Sequence, residues 1–153
     1  MNIFVLDPDP KIAATMACDK HVVKMILETA QMMCTVVTSY GHDAPYRSTH
    51  AKHPCTIWAA QSRANWNWLI EHGMSLCDEY TKRYKKIHKS QRAIEWCAMM
   101  HIDLPEIPQT PFAQAMPSQY KNECAVTAYR DYYMGEKAHF ATWRTQAPSW
   151  WRV

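Results

Sequence analysis

The residues of this chain that could do chemistry together lie in "CDKHVVKMILETAQMMCTVV", positions 18 to 37. His21, Lys24 and Glu28 follow one another at helical spacing, with Asp19 just ahead of them. On an α-helix those spacings stack side chains on one side, turn above turn. A carboxylate one turn from an ammonium can simply pair with it, for about 0.2–0.5 kcal/mol on a wet surface. Half-buried, the same carboxylate can serve as a base or as a stabiliser of developing positive charge. Spacing alone leaves both readings open.

Projected at about 100° per residue, Lys20, His21, Lys24, Glu28, Gln31, Thr35 and Thr38 share an arc of about 100°. Val, Met, Ile, Leu, Ala and Cys fill the rest of the circumference, with Thr29 as the one polar exception. A helix that apolar is surrounded by protein, so its polar stripe must face a cleft or be neutralised inside.

Two further constellations bear on binding. "KRYKKIHKSQR" (82–92) is a cationic run in which Lys82, Arg83, Lys85, Lys86 and Lys89 are candidate phosphate contacts, with Arg47 extending the surface. The same run also suits a solvated helix end, where cations meet the negative pole of the dipole. The loop "GHDAPYRSTHAKHPC" (41–55) carries His42, Asp43, His50, His53 and Cys55. Its His-x2-His-x-Cys spacing is not that of a zinc module and no CxxC pair follows, so the loop reads as a polar rim. No metal and no other cofactor is expected.

These residues need elements to position them. "NIFVLD" (2–7) reads as an extended entry segment. A short helix is expected over 10–18, with Asp9 as its cap and Pro10 in its first turn. A long helix follows over 19–39, ending near Gly41, with Asp19 as a candidate cap. The apolar period then runs unbroken from Cys55 to Ile87, with Gly73 marking a close helix contact. Helices over 89–101 and 125–143 flank a Pro-rich extended loop, 102–122. The aromatic tail "RTQAPSWWRV" is expected to pack back onto the first helix. The class is all-α: a compact single-domain helical bundle, residues 1–153, with an extended N-terminal segment.

Composition fits that class. Charged residues are 20% and apolar residues 48% of 153, which excludes disorder, and the net charge of +3 permits a nucleic-acid partner without demanding one. No apolar run is long enough for a membrane span, and "MNIFVLDPDP" has no secretory signal pattern. The six cysteines are therefore expected as reduced, mostly buried thiols in a cytoplasmic compartment, a host cell's if the protein is viral.

"DKHVVKMILE" (19–28) resembles the D-x-H-x6-E segment of the phage pyrimidine-dimer DNA glycosylases, the endonuclease V-type family. "MPSQYK" (116–121) and "RTQAPSWW" (144–151) resemble that family's P-x-[EF]-[FY]-[RK] segment and its R-P-x-W-Y ending. The resemblance implies a helical domain that binds duplex DNA with an extrahelical pyrimidine. It assigns the catalytic carboxylate to Glu28, with Asp19 and His21 as its signature partners. In that family the initiator Met is removed and the α-amine of the exposed Thr attacks the sugar carbon. This chain instead begins Met1-Asn2-Ile3, and Asn is too large for ready removal of Met1. The nucleophile is then the Met1 amine, Lys24 or water.

Three readings follow. The leading one is a phage-type enzyme acting on DNA bases, in which Glu28 does the chemistry while His21 and Lys24 orient it or touch phosphate. The second is a transferase that modifies a pyrimidine in DNA or a nucleotide, as amino acid:DNA transferases do. The third is a non-catalytic viral binding protein. Oligomeric state is not legible.

Overall fold

The computed structural model describes residues 1–153. Six α-helices and no strand make up the chain: α1 (Pro10–Met16), α2 (Asp19–Ser39), α3 (Pro54–Ala60), α4 (Arg63–Tyr84), α5 (Gln91–Met99) and α6 (Ala125–Tyr132). A π-helical turn, Tyr133–Lys137, continues α6, and a single 3-10 turn, Ser118–Tyr120, interrupts the Pro-rich loop. The all-α reading holds. No helix is long and apolar enough to cross a membrane.

The helix starts follow their local chemistry. The Asp9 carboxylate accepts from the Lys11 and Ile12 N–H groups ahead of a Pro in the first turn of α1. Asp19 does not cap α2; it lies in the first turn, and Cys18 holds the cap position without a side-chain bond. α2 stops at Tyr40, and Gly41 then takes φ +92, which a glycine adopts without strain.

Two helix boundaries differ from the sequence expectation. The apolar period across 55–87 is cut into α3 and α4 because Ser62 is fully extended (φ −157, ψ 157) and its hydroxyl accepts from the Asn65 N–H. Both halves face the same core, so the period carries across a break it does not reveal. The last helix ends at 137 rather than 143: residues 138–140 form a turn, and the segment beyond it reaches the start of α2. There the Asp19 N–H donates to the Thr142 carbonyl at 2.8 Å.

α2 runs through the middle, packed against α3, α4 and α5. Its closest approach is at Gly73 of α4, where an added Cβ would lie 2.9 Å from Thr29 Cγ2 and 3.3 Å from Ile94 Cδ1. The buried apolar residues form one continuous cluster of 32 residues that includes Trp58, Trp66, Met32, Met33, Tyr129 and Tyr133. The tail packs onto the first helix as expected: the Trp143 indole N–H donates to the Met16 carbonyl at 3.0 Å, and Trp150 reaches the Met16 sulfur. All six thiols are free and five are buried. Cys34 and Cys97 lie Sγ to Sγ at 3.5 Å between α2 and α5, and that contact lowers the Cys34 thiol to about 7.

The entry segment is part of the core. Ile3, Phe4, Val5 and Leu6 are all buried. Asn2 shapes the turn: its side-chain oxygen accepts from the Ile3 and Phe4 N–H groups, and its amide donates to the Ala115 carbonyl at 2.7 Å. Phe4 takes φ +40, a costly conformation for a non-glycine residue that the surrounding packing must hold in place.

Candidate active site and nucleic-acid interface

Glu28 sits where the entry segment crosses α2. Its side chain is only 11% exposed. Oε2 accepts from the Asn2 N–H at 3.1 Å and lies 3.6 Å from the α-amine of Met1. Oε1 faces Lys24 Nζ at 3.8 Å, and the Lys24 side chain is 69% exposed. One carboxylate thus stands between two amines, one held by the buried segment and one reaching into solvent. An anion so placed can stabilise a cation forming at the surface beside it.

His21 has another role. It is buried, stacks on the Phe4 ring at 4.3 Å and pairs through Nδ1 with the Tyr133 hydroxyl. Burial, then the Lys137 and Lys24 charges, push its pKa down to about 3, so it is neutral near pH 7. It holds Phe4 and, through Phe4, the chain that carries the Met1 amine to Glu28.

Asp19 and Arg83 are also turned inward. Arg83 Nη1 lies 3.1 Å from Asp19 Oδ1, and Nε donates to Glu79 Oε2 at 2.9 Å. The same guanidinium donates to the Ala17 and Thr15 carbonyls at the end of α1. Asp19 in turn accepts from the Arg144 N–H at 3.0 Å. Arg83 and Asp19, expected as a phosphate contact and a signature partner of Glu28, are thus both engaged in a buried network that ties α1, α4 and the 142–144 segment to the start of α2. Their donors and acceptors are used up inside the fold.

The remaining cations of the run do face solvent. Lys82, Lys85, Lys86 and Lys89 are exposed and none is in an ion pair. Lys85 ends α4 in the left-handed region (φ 59), which turns the chain sharply. The loop is then anchored to α2, because His88 Nε2 bonds the Val23 carbonyl at 3.0 Å. Arg47 is exposed as well, and its neighbour Tyr46 bonds Ser90 Oγ at 2.9 Å, so Arg47 and Lys89 border the same edge.

His53, grouped above with the polar rim, caps α3: Nδ1 accepts from the Cys55 N–H at 3.1 Å. Burial, then the α-amine and His50, disfavour its charged form, while Glu28 works the other way. No three His, Cys, Asp or Glu side chains converge anywhere in the chain.

His21, Lys24 and Glu28, expected to line a cleft, line none of the five best-defined cavities. One cavity of about 420 Å³ opens farther along the same side of α2, lined by Thr35, Thr38, Thr56, Ile57 and Gln61 among others. The Thr56 hydroxyl there is buried without a hydrogen-bond partner. The stripe therefore divides: its far end borders a cavity, while at its other end the largely buried Glu28 meets the Met1 amine. Asn2 and Phe4 escaped the sequence reading, because apolar and amide side chains in an entry segment carry no spacing signal.

A family model described as pyrimidine dimer DNA glycosylase matches residues 1–92. No curated protein and no solved structure matches the chain. The matched span contains the entry segment, Glu28, Lys24 and the basic loop through Lys89, and it leaves out the tail that anchors Asp19. It covers more than half of the sequence, and the chain belongs to the pyrimidine dimer DNA glycosylase family.

Proposed function

We propose that this protein excises a damaged pyrimidine from duplex DNA, with the Met1 α-amine as nucleophile and Glu28 as the carboxylate that steadies the positive charge. The observation that carries this is the 3.6 Å approach of the Met1 amine to Glu28 Oε2. The amine's lone pair bonds to the sugar carbon that bears the base, the glycosidic bond breaks, and the base leaves with a proton. The sugar ring then opens to an imine, whose cation the Glu28 carboxylate faces. Lys82, Lys85, Lys86, Lys89 and Arg47 supply the phosphate contacts, with salt-dependent and sequence-independent affinity.

The test is borohydride trapping on a duplex that carries one cyclobutane pyrimidine dimer, followed by peptide mapping. A covalent adduct on Met1 is the expected result. An adduct on Lys24 moves the nucleophile, and no adduct with an abasic product points to water. A DNA product of higher mass without base loss replaces the reading with base modification. Absence of both product and low-salt DNA binding favours a non-catalytic protein.

A further inference from the structure

Two of the buried cysteines meet. Cys34 of α2 and Cys97 of α5 are 63 residues apart in sequence, fully enclosed, and in contact Sγ to Sγ at 3.5 Å. The other enclosed thiols, Cys18, Cys55 and Cys77, are pushed up by burial. Cys34 goes the other way. The hydrogen bond from Cys97 favours its thiolate, burial opposes this, and the Tyr46 backbone amide adds to the lowering. The same contact keeps the proton on Cys97. One sulfur of the pair is thus disposed to attack and the other to follow.

Enclosed thiols are as a rule inert, because a reagent must first reach them. Here a cavity of about 240 Å³ lies over the pair's surroundings, lined by Pro45, Tyr46, Lys89, Arg92, Ala93 and Trp96. Tyr46 is the residue whose amide acts on Cys34, Ala93 stands one turn ahead of Cys97 on α5, and Trp96 directly precedes it. A space of that size admits a molecule little larger than water. We infer that Cys34 and Cys97 are a redox-sensitive brace, which hydrogen peroxide converts into a disulfide tying α2 to α5. The Cys34 thiolate attacks one peroxide oxygen, the O–O bond breaks, and the departing hydroxide takes up a proton as water. Cys34 is then a sulfenic acid. The Cys97 sulfur attacks it, the S–O bond breaks, and the second water leaves with the Cys97 proton. Two thiols and one peroxide give one disulfide and two waters. The ring so closed holds the end of α2, all of α3 and α4, and the basic loop. Constraining that much of the unfolded chain stabilises the fold. The inference does not depend on the DNA reading above.

The experiment uses the full chain with Cys124→Ser, which removes the exposed thiol that otherwise links one molecule to another. The protein is treated with hydrogen peroxide, its free thiols are counted after denaturation, and its peptides are mapped without reduction. Two of the five remaining thiols should disappear, and they should be found joined in one Cys34–Cys97 peptide. The melting midpoint should rise by about 5 °C or more. Dithiothreitol should reverse both changes, and because it leaves methionine sulfoxide in place, the reversible part belongs to the disulfide. Cys97→Ala in the same background should show neither the joined peptide nor the reversible rise. An unchanged thiol count overturns the inference, as does a link to a different cysteine or Cys34 carried on to sulfinic acid without a link. A joined protein whose melting midpoint stays level or falls overturns the brace. Oxidised and reduced forms of one chain are compared, so these outcomes stand even if the Cys97 variant folds poorly.

Discussion

The Met1 α-amine lies 3.6 Å from Glu28 Oε2, although a helix and a half separate the two in sequence. The approach is built by the entry segment: Asn2 turns the chain, His21 stacks on Phe4, and the burial of Ile3 to Leu6 fixes the path. Glu28→Gln keeps the shape and removes the charge. It should retain DNA affinity within about threefold while lowering single-turnover excision by about two to four orders of magnitude. Fluorescence anisotropy and quenched-flow excision on the same duplex check the two halves.

Asn2→Ala removes the acceptor shared by the Ile3 and Phe4 N–H groups and the donor to the Ala115 carbonyl. Buried groups left unpaired cost about 1–3 kcal/mol each, so the urea midpoint should drop clearly. Trapping yield should fall further than the lost folded fraction explains, because the amine is no longer aimed at Glu28. Trapping at low temperature, where the variant is fully folded by circular dichroism, isolates the second effect.

The cations should divide into two kinds. Arg83→Met leaves Asp19 and Glu79 buried without their partner, and a broken buried pair costs about 3–5 kcal/mol. Lys85→Ala and Lys86→Ala should leave the denaturation midpoint unchanged and each reduce the slope of log affinity against log salt by about 1. A stability loss in the lysine variants, or none in Arg83→Met, contradicts the assignment.

Acid should unfold this protein early. His21 and His72 are held neutral by burial, each pushed down from 6.5 to about 3. The unfolded chain takes up protons on both through the window between those values, and the folded chain does not. Their contribution is therefore full above about pH 6.5 and is lost as pH falls toward 3, at about 1.4 kcal/mol per pH unit for each histidine. His72 stacks on Trp68 at 4.8 Å and leaves Nδ1 without a partner, so His72→Phe should flatten the decline between pH 6 and pH 4 in urea titrations.

Much of the architecture was legible because periodicity and capping are local. Asp9-Pro10 opened α1, and α2 kept its expected bounds of 19 to 39. The α3–α4 break was not legible, since one extended Ser62 interrupts a period without changing it. Around the site, Glu28 stood out through its place on the stripe and its motif. The burial of its companions did not, because Asp19, His21 and Arg83 look like chemistry in one dimension. Only the fold shows that Thr15, Ala17, Glu79, Tyr133 and the 142–144 segment have already claimed them.

The anchoring of Asp19 by Thr142 and Arg144 sets a rule for biosynthesis. The acidic site belongs to the first third of the chain, but the start of its helix is tied down by segments made last. A ribosome-bound chain that has emerged only through Lys89 carries the whole chemical inventory and lacks the clamp that sets its register. Such a chain is expected to stay protease-sensitive until residues 142–144 have emerged and can close on Asp19.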